Sequence, residues 1–108
     1  MHSKIALLLG SLLLASAGAV LAEVDVDAAQ ALMKKSNCGK CHALDKKKDG
    51  PSYKETAKKY QGKPDAEQEL YIHLTTHSKV EGKEEEHAPL KTKKEADVRN
   101  VVRWILTR

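Results

Sequence analysis

The stretch from Asn37 to Leu44, NCGKCHAL, contains both cysteines of this 108-residue chain, with a histidine directly behind the second. On a helical turn, side chains at positions i and i+3 lie about 5 to 6 Å apart on one face. Cys38, Cys41 and His42 are therefore expected to converge on one local site. The spacing suits a redox-active dithiol, a plain disulfide, part of a zinc site or an attachment point for a larger group.

The first 22 residues have the pattern of a secretory signal peptide, which is basic, then apolar, then rich in small residues. The apolar block runs from Ile5 to Leu14, and small residues follow up to Ala22. A retained membrane anchor needs about 20 strongly apolar residues, and glycines and serines dilute this block. We predict a signal peptide over 1–22, cleavage after Ala22, and an exported domain over 23–108 without stable membrane association.

Composition limits what this domain can contain. A domain this small buries only about 60% of the surface that its unfolded chain exposes, and the chain has no Phe, one Trp and three Tyr. Small exported domains usually add disulfides, a metal or a cofactor, and two cysteines exclude a dense disulfide framework. The formal charge is +4, with lysines interleaved with fifteen acidic residues. This pattern, together with export, argues against nucleic acid as a partner.

Four amphipathic helices are predicted, and no strand pattern is visible. A polar, irregular loop from Ser78 to Lys91 separates the last two helices, and loops of this length are often functional. The apolar stripe of the last helix contains Val98, Val101, Val102 and Ile105. The helix start signals are, in order, Asp25 or Asp27, the capping box Ser52-Tyr-Lys-Glu55, Asp65, and the capping box Thr92-Lys-Lys-Glu95. The predicted fold class is all-α.

Covalent haem accounts for more of this pattern than the alternatives. A thioredoxin-like dithiol should lie at a strand-to-helix junction, and a structural zinc site needs four well-placed ligands; a plain disulfide explains nothing else in the chain. Thioethers from Cys38 and Cys41 to the haem vinyl groups would leave His42 to ligate the iron. Haem attachment follows export, and the macrocycle would supply the missing core.

Three segments also resemble a known family: CGKCHALD from Cys38, GPSYK from Gly50 with the helix that follows, and VVRWIL from Val101. They are similar to the small bacterial monohaem class I cytochromes c, which are short periplasmic electron carriers. The resemblance covers residues 26–107. It implies about four short helices wrapped around one covalent haem c, with the N- and C-terminal helices crossing beside it.

The resemblance also implies site residues. Cys38 and Cys41 would carry the thioethers, and His42 would be the proximal iron ligand. The carbonyl of Pro51 would accept the other ring N–H of this histidine, which orients the ring and raises its basicity. Trp104 would pack in the haem environment.

The sequence departs from the family at the sixth iron ligand. These carriers usually place a methionine in the loop before the last helix, whereas this chain reads EEEHAPL from Glu84 to Leu90. The methionine of the mature domain, Met33, is assigned to core packing. We predict that His87 is the distal ligand, since imidazole is a natural iron ligand. His77 is the alternative ligand, and five-coordinate iron is a third possibility.

A bis-histidine haem predicts a low-potential single-electron carrier, because thioether ligation raises the potential. The acidic run from Glu84 to Glu86 would lower it further if the carboxylates lie near the iron. An alternative is a haem protein that binds or senses NO or CO through a detachable His87, or the haem subunit of a larger oxidoreductase. No catalytic constellation is visible, so no enzyme activity is predicted.

Redox partner proteins are the expected partners. Lys46, Lys47 and Lys48 follow the cysteine motif closely and can form a basic patch that docks an acidic partner. A solvated loop that aids solubility is the other explanation of these lysines.

Overall fold

The computed structural model describes residues 23–80 and 82–108. Four α-helices follow one another: α1, Val26–Lys35; α2, Tyr53–Tyr60; α3, Ala66–Thr75; and α4, Glu95–Leu106. A single 3₁₀ turn, Cys38–Lys40, follows α1. Between α3 and α4, β1 (Ser78–Lys79) and β2 (Glu86–His87) form a short antiparallel pair. The all-α prediction is confirmed, and the hairpin is an element that the sequence did not indicate. The predicted signal peptide, 1–22, lies outside the described residues.

Two of the predicted helix starts have their side-chain caps in place. The Asp25 carboxylate accepts a hydrogen bond from the Ala28 amide at 3.0 Å, and the Ser52 hydroxyl accepts one from the Glu55 amide at 3.0 Å. Such caps satisfy amides that have no partner within the helix. Asp65 stands at the start of α3 but makes no side-chain cap.

The predicted capping box at Thr92 is wrong. Helix α4 begins at Glu95 with Lys94 as its N-cap and without a side-chain cap. The Thr92 hydroxyl instead accepts a hydrogen bond from the Lys94 amide, two residues on, at 3.2 Å. Local hydroxyl-to-backbone bonds of this kind compete with helix formation, so the helix starts after Thr92 rather than at it.

The core is built around α4, which packs against α1, α2 and α3. Its predicted apolar stripe is buried throughout, and Trp104 is buried with it. Burying one such aliphatic side chain stabilises the fold by about 1.5–3 kcal/mol. The ten buried residues of the core cluster are Ala29, Met33, Leu70, Leu74, Leu90, Val98, Val101, Val102, Trp104 and Ile105.

Polar bonds between distant segments fix the ends of this core. The Asp25 amide donates to the Asn100 side chain at 2.9 Å, and the Asn100 amide group donates back to the Asp25 carbonyl at 2.8 Å. The segment after the hairpin is held by Leu90, whose amide donates to the Leu74 carbonyl at 2.8 Å. Across the described ranges, no helix is long and apolar enough to cross a membrane.

Candidate functional site

The cysteine motif forms a tight turn directly after α1. Asn37 adopts a left-handed conformation with φ 58°, which suits asparagine better than most residues. The amides of Cys41 and His42 then both donate to the Cys38 carbonyl, at 3.2 and 3.0 Å. Both thiols are free and partly buried. Burial raises the pKa of the Cys38 thiol, whereas redox-active dithiols depend on a lowered pKa, so this environment does not favour the dithiol alternative.

His42 is oriented by the backbone that follows the motif. Its Nδ1 lies 2.7 Å from the Pro51 carbonyl oxygen, which accepts the N–H of that nitrogen. With Nδ1 as the donor, a neutral ring has its lone pair on Nε2, which is the form that binds a metal. The geometry therefore presents Nε2 of His42 as a ligand.

Gly50 allows this orientation, and sequence reasoning did not identify it as a site residue. A Cβ atom at Gly50 would lie 2.5 Å from Cε1 and 2.9 Å from Nδ1 of the His42 ring. Side chains do not approach one another this closely, so only glycine fits beside the ring. The Gly50-Pro51 sequence was a signal for a turn, but nothing in it showed that the ring would pack against the glycine.

Two aromatic residues continue the site from His42 into the core. The ring centroids of Tyr53 and His42 lie 5.6 Å apart. The Tyr53 ring also packs edge-on against the Trp104 ring, with a centroid distance of 5.2 Å. Trp104 is buried, and its Nε1 has no hydrogen-bond partner. Met33 and Leu44 join these three rings in the lining of an open cavity of about 710 Å³ beside the turn. Sequence reasoning did not identify Tyr53 as a site residue, and its contact with His42 is a new observation.

The rings of His42, His73 and His87 lie close to one another. The His87 ring centroid lies 6.2 Å from that of His42 and 4.3 Å from that of His73. His87 is half-buried on β2, and its Nδ1 is enclosed without a hydrogen-bond partner. Sequence reasoning did not identify His73 as a site residue, because no local pattern joins it to His87.

The surroundings of His73 and His87 lower the pKa of both rings and favour their neutral forms. Burial lowers the pKa of His87, and the neighbouring His73 and His42 lower it further, while the backbone of Ala88 acts in the opposite direction. Burial also lowers the pKa of His73, with His42 and Lys59 as further causes. Neutral imidazole is the protonation state that binds a metal.

His77 lies apart from this arrangement of rings. Its Nδ1 is 3.7 Å from a carboxylate oxygen of Glu86, and both side chains are about two-thirds exposed, at 67% and 63%. An exposed pair of this kind contributes little to stability. Glu84 and Glu85 are exposed as well, so solvent screens the effect of the acidic run on a buried site.

The loop that contains Lys46, Lys47 and Lys48 is exposed, but one of these three lysines is engaged in a hydrogen bond within the protein. The Lys48 ammonium group donates to the Gly39 carbonyl at 2.6 Å, which ties the loop back to the cysteine turn. Lys46 and Lys47 remain exposed next to it. Asp45, in the same loop, forms an ion pair with Lys54.

The residues present fit the expected haem. The two thiols stand on one turn, His42 presents Nε2, and a cavity bounded by Tyr53 and Trp104 lies beside them. Nε1 of Trp104, in the lining of this cavity, lacks a partner within the described residues, and unpaired buried groups commonly mark a missing ion, water or ligand. Nowhere in the described ranges do three or more His, Cys, Asp or Glu side chains form a group that could hold a metal ion alone.

Comparisons with known proteins agree with this geometry. The chain is 49% identical to the class 1 cytochrome MtoD of Sideroxydans lithotrophicus ES-1, with a TM-score of 0.71, covering 79% of this chain and 97% of that one. It is 33% identical to wild-type cytochrome c552 of Nitrosomonas europaea, with a TM-score of 0.60, covering 72% of this chain and 96% of that one. A search of curated protein sequences finds no match.

The sequence model of the cytochrome c family matches residues 26–108, from the first residue of α1 onwards. This range contains the whole site: the cysteine turn, both aromatic rings and the three histidines. Family membership assigns one covalently bound haem c to the chain, and the two cysteines of the motif are consistent with this attachment. The chain is therefore a member of the cytochrome c family, with the class I fold.

Proposed function

We propose that this protein is a periplasmic one-electron carrier whose haem iron is ligated by His42 and His87. Electron transfer as such follows from the family and from its class I relatives. The distal ligand, the low potential and the periplasmic location are our proposals. The observation that carries the ligand assignment is the 6.2 Å separation of the His42 and His87 ring centroids. The low potential follows from that assignment, and the periplasmic location rests on the predicted signal peptide.

This separation matches two imidazoles that share one metal ion. Metal–imidazole bonds are about 2 Å long, and each ring centroid lies roughly 1 Å behind its nitrogen, so two rings on opposite sides of an ion are about 6 Å apart. The His42 ring is hydrogen-bonded to the Pro51 carbonyl. His87 lies on β2, which pairs with β1 at Ser78, and the segment after it is fixed by the backbone hydrogen bond from Leu90 to Leu74. These contacts of the two rings with their own segments support the ligand assignment.

His87 is also favoured over the other candidates. His77 pairs with Glu86 at the surface, and Met33 is 6% exposed in the core cluster on α1. Haem c supplies reversible one-electron chemistry at its iron when it is bound. Replacing the usual thioether with imidazole favours the ferric state and lowers the potential. The exposed glutamates are expected to add little to this effect because solvent screens them.

The remaining residues support this role. Cys38 and Cys41 would hold the haem through thioethers, and Pro51 would orient the proximal ring. Trp104 and Tyr53 would cover the haem from the core side. Residues 1–22 would direct export, and no catalytic role is proposed for any side chain.

The test is spectroscopy of the oxidised and reduced holoprotein with single-histidine variants. His87→Ala should lose the bis-imidazole low-spin spectrum, and its potential should rise, whereas His77→Ala should keep both. Because the His73 ring lies 4.3 Å from His87, the double variant with His73→Ala is needed to prevent His73 from replacing the lost ligand. A parent-like low-spin spectrum in this double variant would refute the ligand assignment.

The same samples test the alternative function. A six-coordinate carrier should bind CO slowly, or not at all, when reduced, because His87 must first leave the iron. Rapid CO or NO binding by the wild-type ferrous protein at neutral pH would instead favour a ligand-binding or sensing protein.

A further inference from the structure

Two enclosed polar atoms belong to one cross-strand pair of the hairpin. Ser78 on β1 is the register partner of His87 on β2. Oγ of Ser78 and Nδ1 of His87 are both buried, and within the described residues neither has a hydrogen-bond partner. Buried polar side-chain atoms nearly always have a partner, so two orphans at one cross-strand pair call for an explanation.

The chemistry of a ligating histidine explains why Nδ1 needs an acceptor. When Nε2 binds a metal, the neutral ring carries its proton on Nδ1. Metal-bound histidines almost always donate this N–H to a carboxylate, a carbonyl or a water, and the bond sets ring orientation and ligand basicity. On the proximal side the acceptor is the Pro51 carbonyl, 2.7 Å from Nδ1 of His42. Within the described residues, Nδ1 of His87 makes no bond of this geometry, although the Ala88 backbone is close enough to raise the pKa of the ring.

The hairpin register makes Ser78 the residue placed to supply this acceptor. Directly opposite residues of an antiparallel pair point to the same face, with their Cβ atoms about 4.5–5.5 Å apart. A serine hydroxyl can rotate among three staggered positions and accept through two lone pairs. Ser78 Oγ has no other bond to give up. The backbone of Ala88 is the competing acceptor, since it already influences the His87 ring.

We propose that Ser78 is a positioning residue for the distal ligand, its hydroxyl accepting the Nδ1–H of His87 once Nε2 is on the iron. The proposal rests on the ligation proposed above and adds the residue that tunes it. Ser78 would then do on the distal side what Pro51 does on the proximal side. The bond gives the imidazole more anionic character and favours the ferric state, so it contributes to the low potential.

The test compares three variants of the ferric and ferrous holoprotein. Ser78→Ala removes the hydroxyl, and Ser78→Thr keeps a hydroxyl at the same position. Thr76→Ala is the matched control, because it removes an exposed hydroxyl two residues away that bonds only to the Ile72 carbonyl. The measurements are the midpoint potential and the exchange of the His87 Nδ1 proton with D₂O, followed by NMR.

Ser78→Ala should raise the midpoint potential and speed the exchange of the Nδ1 proton, while Ser78→Thr and Thr76→Ala should remain like the wild type. A potential and an exchange rate in Ser78→Ala equal to those of Thr76→Ala would overturn the proposal and indicate the Ala88 carbonyl as the acceptor. Ser78 is not part of the buried core cluster, so Ser78→Ala should still fold even though it leaves the Nδ1–H of His87 without this acceptor.

Failure of the ligand assignment is a separate result. If the His73 and His87 double variant keeps a parent-like spectrum, His87 is not the ligand, and the proposed function fails first. If that variant loses the spectrum but Ser78→Ala changes nothing, ligation by His87 stands and only the role of Ser78 is wrong.

Discussion

Replacing Gly50 with alanine tests the close packing that orients the proximal histidine. The new Cβ would lie 2.5 Å from Cε1 of His42 and 3.2 Å from the Cys41 carbonyl oxygen. Non-bonded carbons rest about 3.5–4.0 Å apart, so the ring or the Gly50 backbone must move by about 1 Å. Such a movement disrupts the 2.7 Å bond from His42 to the Pro51 carbonyl.

The expected decrease in the free energy of unfolding follows from the steric clash and from the lost hydrogen bond. Overpacking of this kind costs about 1–3 kcal/mol, and the lost hydrogen bond costs about 1 kcal/mol more. A loss of about 2–4 kcal/mol in a domain of this size lowers Tm by roughly 8 °C or more. Thermal unfolding of the ferric holoprotein, followed by circular dichroism, measures this change. The EPR spectrum of the same samples should show an altered proximal ligand field.

Gly39→Ala is the matched control for this variant. Gly39 lies between the two cysteines, and a Cβ there would have no heavy atom within 4 Å. Both substitutions reduce the conformational entropy of the unfolded chain to a similar degree, so the difference between them isolates the clash with His42. If Gly50→Ala and Gly39→Ala melt at the same temperature and give the same EPR spectrum, the steric argument is refuted.

Two further predictions concern the tyrosine beside His42 and the exposed lysines. Burial raises the pKa of Tyr53. The stability that the buried, neutral phenol contributes is therefore complete below pH 10 and is lost as the pH rises above that value. The melting temperature should therefore fall less steeply above pH 10 in Tyr53→Phe than in the wild type or in Tyr71→Phe, and equal slopes would contradict the prediction. If Lys46 and Lys47 dock an acidic redox partner, replacing both with glutamine should slow electron transfer at low ionic strength and not at high ionic strength; a wild-type rate that does not depend on salt would remove the docking role.

The helices could be predicted from sequence because their signals are local. The Ser52 cap and the apolar stripe of α4 depend on spacings of three to four residues, and both appear in the structure. The Thr92 box failed although its signal was similar, because the hydroxyl bonds to Lys94 instead. Sequence alone could not decide between these two local bonding choices.

The arrangement of the site depended on contacts that no local pattern encodes. The hairpin strands are two residues long, which is too short for an alternating pattern. Its position depends on a backbone bond from Leu90 to Leu74. The packing of His73 against His87 and of His42 against Gly50 likewise joins residues from separate segments. The motif thus indicated the chemistry, whereas tertiary structure determined which histidines meet.

The dependence of the core on α4 affects the order in which helix packing and haem attachment take place. Half of the ten buried cluster residues come from this last helix, so α1 has no complete packing surface until the C-terminal residues are available. Cys38 and Cys41 lie upstream of that point, directly after α1. Both thiols are only partly buried even with α4 in place, and they would be more accessible in an exported chain whose α4 has not yet packed. Packing of the C-terminal helix is therefore expected to follow haem attachment rather than to precede it.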